Sequence, residues 1–278
     1  MKLTVLGSGT GTPNPLRAAP SILLDLAGSY LLLDCGPAAL NRLTGLGLNH
    51  RSIDAVFISH FHLDHTLDLW AFLFTATYPD FNRSRPVQIF APPGFDRLHQ
   101  ALLAAYGPEV NPPAEAIETI ILDPARSPSW LESSCLPGIV ISAKPVNHRP
   151  ESIAFRLETD ELGLVYSGDT GWSDGLVEFS RGVDWLILEA TRPDDDPVAG
   201  HLTPSEAGRL AQQAGAKRLL LTHLSTKHGR SDPAEAARIK FNGPVITATD
   251  GLVLDLLDDG QVARSSSTGR RADQPVCH

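Results

Sequence analysis

Cysteine is scarce in this chain, and its placement argues against a structural role for it. The 278 residues contain only Cys35, Cys135 and Cys277. The three are odd in number, far apart and never in a Cys-x-x-Cys pair, which argues against a disulfide framework. We expect reduced thiols, with Cys35 and Cys135 as small buried apolar side chains.

Long apolar runs and an excess of positive charge are also missing. No stretch approaches the roughly 20 apolar residues that span a membrane, and the first residues, MKLTVLGSG, have too short an apolar run for a signal peptide. The formal net charge of −9 lacks the electrostatic footprint of a dedicated nucleic-acid binder. These absences predict a cytoplasmic protein with no membrane partner.

The residues that are present suffice for a large folded core. Apolar residues make up 42% of the chain, as in ordinary globular proteins. No linker divides the sequence, so we predict a single domain over 1–260 and a mobile, polar tail over 261–278. Hairpins early in the chain and strand–helix alternation later predict a layered α/β or α+β sandwich. The proline-rich stretch 107–138 resists assignment, apart from one strand at IETIILD.

Three segments carry specific structural predictions. TLDLWAFLFTATY has apolar residues on most sides and predicts a largely buried helix. TPSEAGRLAQQAG begins with a capping box from Thr203 to Glu206 and predicts a helix with defined ends. PVITATDGLVLDLL predicts a β-hairpin that turns at Asp250 and Gly251.

Titratable side chains gather at the ends of the predicted apolar strands. The segment FISHFHLDHTLDL carries the pattern His-x-His-x-Asp-His, and four later strands each end at a histidine or a carboxylate. These residues are His60, His62, Asp64, His65, His148, Asp169, Glu189 and His223. Sites in layered α/β proteins form where strand ends and loops converge. A single core histidine does not explain so many imidazoles with matching carboxylates, whereas a zinc, manganese or iron site does.

The motifs that hold these residues resemble those of a known superfamily. SHFHLDH, VNHRPESIAF, YSGDT and LLTHLS occur in the order of the metal-binding motifs of the metallo-β-lactamase fold superfamily. MKLTVLGSGTGTPNP, SILLDL and YLLLDCGP resemble its N-terminal strands, so the resemblance covers most of residues 1–257. It implies a four-layer αββα sandwich.

The resemblance also implies a ligand set for two divalent ions. His60, His62 and His148 would bind one ion, Asp64, His65 and His223 the other, and Asp169 would bridge them. Zinc or manganese fits this set best, and iron is also compatible. Two such ions can share a hydroxide that attacks a phosphodiester. Asp64 could accept a hydrogen bond from that hydroxide.

Two further motifs resemble the ribonuclease Z-like phosphodiesterase branch of the superfamily. They are LEAT at 188–191 and GHLTPSEAGRLA at 200–211, although Leu188 replaces the first histidine of the branch's His-Glu-Ala-Thr motif. The resemblance makes His201 the group that protonates the leaving alkoxide, with Glu189 orienting it. The alternatives are a surface-loop histidine and a Glu189 that pairs with Arg192.

The substrate prediction depends on a departure from the tRNA-processing members, which carry a long arm before the bridging aspartate. Here His148 and Asp169 are 21 positions apart, with a simple hairpin between them. We therefore predict a phosphodiesterase that acts on a small diester and works as a homodimer, with tRNA disfavoured. A cyclic nucleotide or a cyclic ribose phosphate is the favoured class of substrate. A tRNA 3′-processing endoribonuclease, a lactone or sulfate-ester hydrolase and a non-catalytic metal-loaded carrier stay open as alternatives.

Overall fold

Two sheets of seven strands each organise the fold. The computed structural model describes residues 1–124 and 131–258, so the tail at 261–278 and Cys277 lie outside the described residues. The predicted single domain over 1–260 stays a prediction. Within the part of the chain that is described, no helix has the length and apolar character needed to cross a membrane.

The first sheet combines an antiparallel N-terminal part with a parallel part. Its strands are β1 (Lys2–Gly7), β2 (Ser21–Leu26), β3 (Ser29–Leu33), β4 (Ala55–Phe57), β5 (Val87–Ala91), β6 (Ile117–Ile121) and β14 (Val253–Asp255). Their order in space is β14-β1-β2-β3-β4-β5-β6. β1 is antiparallel to both neighbours, whereas β3 to β6 are parallel to one another.

The second sheet likewise combines an antiparallel part with a parallel part. Its strands are β7 (Leu131–Glu132), β8 (Val140–Pro145), β9 (Ile153–Glu158), β10 (Gly163–Tyr166), β11 (Trp185–Glu189), β12 (Arg218–Thr222) and β13 (Val245–Thr247). They lie in the order β13-β12-β11-β10-β9-β8-β7. β10 to β13 are parallel, and β7 to β10 are antiparallel.

Helices cover the outer face of each sheet. They are α1 (Ala39–Gly45), α2 (Leu63–Ala76) and α3 (Phe95–Tyr106) on the first sheet, and α4 (Asp174–Phe179), α5 (Pro204–Ala214) and α6 (Pro233–Arg238) on the second. Short 3₁₀ turns lie at His50–Ser52, Pro108–Val110 and Thr226–His228. This arrangement confirms the predicted αββα sandwich.

Continuous apolar strands are explained by burial on both faces. Along β11, Trp185 and Ile187 pack between the two sheets, whereas Leu186 and Leu188 pack against the helices of the second sheet. Successive side chains of a strand point to opposite faces. A sheet covered on both faces therefore needs apolar residues at every position, as WLIL provides.

The predicted capping box at the start of one helix is confirmed, but the β-hairpin predicted from one turn motif is wrong. Thr203 and Glu206 form the predicted capping box at the start of α5. The predicted hairpin around Asp250 and Gly251 is wrong, because β13 belongs to the second sheet and β14 pairs with β1 in the first. The Asp250 carboxylate instead accepts hydrogen bonds from Ser8 N at 2.9 Å and Ser8 Oγ at 2.7 Å, which ties the crossing segment to β1.

Two predictions of burial need correction. The helix α2 begins at Leu63, earlier than predicted, and one of its faces is open: Leu63, Leu67 and Phe74 are 68%, 47% and 39% exposed. Cys35 is buried as predicted, whereas Cys135 is only half-buried, and both are free thiols.

Candidate metal centre

The strand ends carry the candidate ligands to one edge of the sandwich. His60 follows β4, His148 follows β8 and Asp169 follows β10. Glu189 is the last residue of β11, and His223 comes directly after β12. Because the central strands of each sheet are parallel, their carboxyl ends meet at the same edge, where polar side chains can converge.

The remaining candidates come from the start of α2. His62 is the N-cap residue of this helix, and Asp64 and His65 lie in its first turn. The backbone of Cys35 and Gly36 packs directly against this turn, with Cys35 N donating to His65 O at 2.9 Å. The sequence pattern His-x-His-x-Asp-His thus spans a strand end and a helix start.

The seven predicted ligands form two groups of donor atoms. In each group the candidate atoms lie within 4.8 Å of one another; the groups are His60, His62, His148 and Asp169, and Asp64, His65 and His223. Asp169 connects them. Its Oδ2 lies 3.7 Å from His60 Nε2, and its Oδ1 lies 3.3 Å from His65 Nε2 and 3.4 Å from His223 Nε2. One carboxylate therefore faces both groups, one oxygen to each.

Four of the five candidate imidazoles, those of His60, His65, His148 and His223, are held through Nδ1, so their Nε2 atoms are left for the centre. His65 Nδ1 bonds to Asp34 Oδ2 at 2.7 Å, and His148 Nδ1 bonds to Gly200 O at 3.0 Å. An imidazole that donates through Nδ1 has its Nε2 lone pair free. The buried His60 Nε2 has no hydrogen-bond partner among the described residues. This unpartnered nitrogen and the convergent lone pairs fit a bound cation.

Burial and neighbouring charges set the protonation of the cluster. Burial, followed by the neighbouring His65, lowers the pKa of His60 to about 2, and burial lowers the pKa of His148. At Asp169 burial opposes ionisation, but His223 and His65 outweigh it and hold the pKa well below its usual value. His60 and His148 are therefore in the neutral form that binds a metal, and Asp169 is ionised. At His65 burial acts to lower the pKa, but the carboxylates of Asp169 and Asp34 outweigh it and raise that pKa, so a cation binding there would displace a proton.

Glu189 and His201 form a pair beside the two donor groups. The donor atoms of His201 also lie within 4.8 Å of those of Asp169 and His223, so this histidine borders directly on the centre. His201 Nδ1 lies 2.8 Å from Glu189 Oε1, and the His201 ring centroid is 4.8 Å from that of His148. Burial acts to lower the pKa of His201, but the hydrogen bond and charge of Glu189 outweigh it and raise that pKa. The alternative partner of Glu189 is excluded, since Arg192 pairs with Asp196.

Several residues that orient the site were not singled out from the sequence. Asp34 and Ser59 support His65 and His60, and Thr191 contacts Glu189, His201 and His223. Asp34 lies in YLLLDCGP, a motif that indicates the N-terminal strands but not the role of this carboxylate. Ser59 and Thr191 are sequence neighbours of His60 and Glu189, but their contacts to Asp34 and His223 join residues 25 and 32 positions apart, which no local spacing reveals.

The contact between Gly36 and α2 gives a testable prediction. A Cβ atom at Gly36 would lie 2.0 Å from Asp64 O and 2.8 Å from Pro20 O. We expect Gly36→Ala to displace the first turn of α2, lowering both zinc affinity and the free energy of unfolding, the latter by about 1–3 kcal/mol. Chelator competition and urea unfolding measure the two effects.

The matched control is Gly45→Ala, at the end of α1. A Cβ atom there would meet nothing within 4 Å, so this change should leave zinc binding intact and stability equal or slightly higher. Equal zinc affinity in the two variants would contradict the proposed role of Gly36.

The sandwich and the donor groups at its edge together define a class of protein, the metal-dependent hydrolases with the αββα architecture. A family model described as the β-lactamase superfamily domain matches residues 29–224, and the chain belongs to this superfamily.

Relatives narrow this assignment to the ribonuclease Z-like branch. Ribonuclease Z of Mycobacterium bovis (strain BCG / Pasteur 1173P2) is 29% identical over 278 residues, covering 90% of this chain and 96% of that protein. The crystal structure of the metallo-β-lactamase fold protein YhfI from Bacillus subtilis is 29% identical with a TM-score of 0.78, covering 91% of this chain and 98% of that one. Human tRNase Z, short form, is 27% identical with a TM-score of 0.72, covering 92% and 99%.

Proposed function

We propose that the chain is a binuclear metal-dependent phosphodiesterase that acts on small linear or cyclic phosphodiesters. The observation that carries this proposal is Asp169, whose two oxygens face two separate donor groups, with the Glu189–His201 pair beside them. His60, His62 and His148 would hold one ion, and Asp64, His65 and His223 the other. Zinc, manganese or iron bound there would supply Lewis acidity, which lowers the pKa of water and offsets phosphoryl charge.

Asp64 would orient the attacking water, and His201 would protonate the leaving group. Asp64 is partly exposed, with Oδ2 3.5 Å from His223 Nε2, so it can accept a hydrogen bond from an attacking water. His201 Nδ1 donates a hydrogen bond to Glu189 Oε1, so His201 Nε2 is left to carry a proton to the leaving oxygen. An alkoxide leaves readily only when it is protonated, and imidazole is the side chain suited to this near neutral pH.

A small substrate is favoured by the interval between His148 and Asp169. The hairpin of β9 and β10 occupies this interval, all of which is described, and no inserted arm extends from it. The net charge is −9. Binding of a large nucleic acid draws much of its affinity from phosphate contacts to Lys and Arg. An acidic chain without an arm is better suited to a small diester.

A tRNA 3′-processing endoribonuclease is the second candidate. Its support is the likeness to ribonuclease Z of Mycobacterium bovis and to human tRNase Z, short form, over nearly the whole chain. Both candidates use the same metal centre, so they differ only in what binds outside it.

Hydrolysis of bis(p-nitrophenyl) phosphate tests the proposal. We expect turnover by zinc- or manganese-loaded protein, loss of turnover after chelation, and loss in the Asp169→Asn variant even when metal is present in excess. Protein that holds two metal ions per chain and still does not turn over this diester would refute a phosphodiesterase.

A precursor tRNA separates the two candidates. We expect only weak binding in a gel-shift titration at physiological salt. Tight binding that falls steeply with salt, together with cleavage at the 3′ end, would instead favour the endoribonuclease.

A further inference from the structure

Thr191 lies at the junction of the two functional groups, two residues past the end of β11. Its Oγ1 is 2.6 Å from Glu189 Oε2, 2.7 Å from His223 Nδ1 and 3.2 Å from His201 Nδ1. The residue is 8% exposed. One hydroxyl therefore contacts a candidate metal ligand and both members of the candidate proton-donor pair.

The direction of each hydrogen bond follows from counting protons. As a carboxylate, Glu189 only accepts, and it already takes the backbone N–H groups of Thr170 and Thr191, each at 3.0 Å. The single hydroxyl proton of Thr191 must point at Glu189 Oε2. Towards the imidazoles the oxygen can then act only as an acceptor.

This direction fixes the tautomer of His223. Its Nδ1 must carry the proton that Thr191 Oγ1 accepts, so its Nε2 lone pair points to the centre, where Asp169 Oδ1 lies 3.4 Å away. The same argument keeps a proton on His201 Nδ1, which faces Glu189 Oε1 at 2.8 Å. Both rings thereby turn Nε2 away from the Thr191–Glu189 side.

We propose that Thr191 is a positioning residue that, through one hydroxyl, holds His223 in its metal-binding tautomer and holds Glu189 against His201. The role at His223 does not depend on the proposed function, whereas the role at Glu189 and His201 rests on it. The orientation of a metal ligand by an outer hydrogen-bond partner commonly controls affinity by about 10–100-fold. Thr191 therefore acts on metal binding and on leaving-group protonation together.

Zinc affinity gives a test that needs no turnover. Thr191→Val keeps the shape of the side chain but removes the hydroxyl, and Thr191→Ser keeps the hydroxyl but removes the methyl group. Titration of apoprotein against a chromogenic chelator should show one of two zinc sites weakened by about 10–100-fold in the valine variant. The serine variant should recover most of that affinity.

Nuclear magnetic resonance of the imidazole protons reports the orientation itself. In metal-free protein labelled with ¹⁵N-histidine, where no ion fixes the tautomer, His223 should show a protonated Nδ1 in the wild type and in Thr191→Ser. The valine variant should lose this hydrogen-bonded proton signal. A residue that only fills space would not produce this difference between serine and valine.

The leaving group tests the link to His201. Thr191→Val should lower kcat more for a diester with an alkyl leaving group than for one that releases p-nitrophenolate, because only the former needs a proton from His201. Circular dichroism checks that each variant is folded, and Thr191→Ala takes the place of valine if that variant does not fold.

The possible results distinguish the positioning role of Thr191 from the proposed phosphodiesterase activity. Wild-type zinc affinity and an unchanged histidine spectrum in Thr191→Val would overturn the proposal, as would a serine variant that fails like valine. Wild-type protein that never turns over a diester would defeat the proposed phosphodiesterase, yet it would leave the zinc and spectroscopic tests of Thr191 intact.

Discussion

His201→Ala is expected to lower kcat for a phosphodiester with an alkyl leaving group by about 10²–10⁴-fold, the range of a lost general acid. The reason is the geometry of the pair: His201 Nδ1 is held by Glu189 Oε1 at 2.8 Å, which leaves His201 Nε2 to give a proton to the leaving oxygen. Release of p-nitrophenolate, which needs no proton, should fall far less. Steady-state kinetics on both substrates measure the difference.

The His201→Ala result is meaningful only if the metal centre survives. We expect two metal ions per chain in the variant, since His201 is outside the seven proposed ligands. His50→Ala is the matched control: His50 stacks on Phe81, away from the centre, and its loss should leave both rates unchanged. Equal losses for the two leaving groups, or no loss for either, would argue against a proton donor at His201. Lactone cleavage needs no such donor, so a lactone hydrolase would keep its lactonase activity in this variant.

The layers of the fold could be predicted from the sequence because a strand that is buried on both faces has a continuous run of apolar residues. Segments such as WLIL on β11 must be buried on both faces, and the capping box at Thr203 identifies a helix start without tertiary information. The turn at Asp250 could not be assigned in this way. An Asp-Gly pair specifies a local change of direction, but the sheet that the next strand joins depends on distant partners such as Ser8.

The candidate site could also be predicted from the sequence only in part. Spacing and places at strand ends indicate the candidate residues, the resemblance to the superfamily implies which seven of them bind metal, and the structure brings all seven together. Their supporting partners come from other elements and leave no periodic pattern. Leu188 is explained by strand alternation: its side chain packs among the helices of the second sheet, on the face opposite to the site. The homodimer and the cytoplasmic location stay predictions.

Asp34→Ala is expected to damage both the fold and the metal centre. The Asp34 carboxylate is fully buried and accepts four hydrogen bonds, from Ser59 N at 2.8 Å, Ser59 Oγ at 2.8 Å, His65 Nδ1 at 2.7 Å and Tyr166 Oη at 2.7 Å. Removing it leaves all four donors buried without their acceptor. We expect a loss of about 3–5 kcal/mol in the free energy of unfolding of the apoprotein, as for other broken buried pairs. Urea unfolding after chelation measures it.

Metal binding should fall with the same change, because Asp34 orients ligands of both donor groups. It fixes the tautomer of His65 directly, and it takes the Ser59 hydroxyl proton so that Ser59 Oγ accepts from His60 Nδ1 at 3.0 Å. Both zinc sites should therefore weaken by at least about 10–100-fold. Tyr166→Phe removes only one of the four donors and leaves both histidine contacts, so it should cost about 1 kcal/mol of stability and keep zinc affinity. If Asp34→Ala retained two tightly bound zinc ions, orientation by this carboxylate would not be what prepares the imidazoles, and convergence of the strand ends alone would have to suffice.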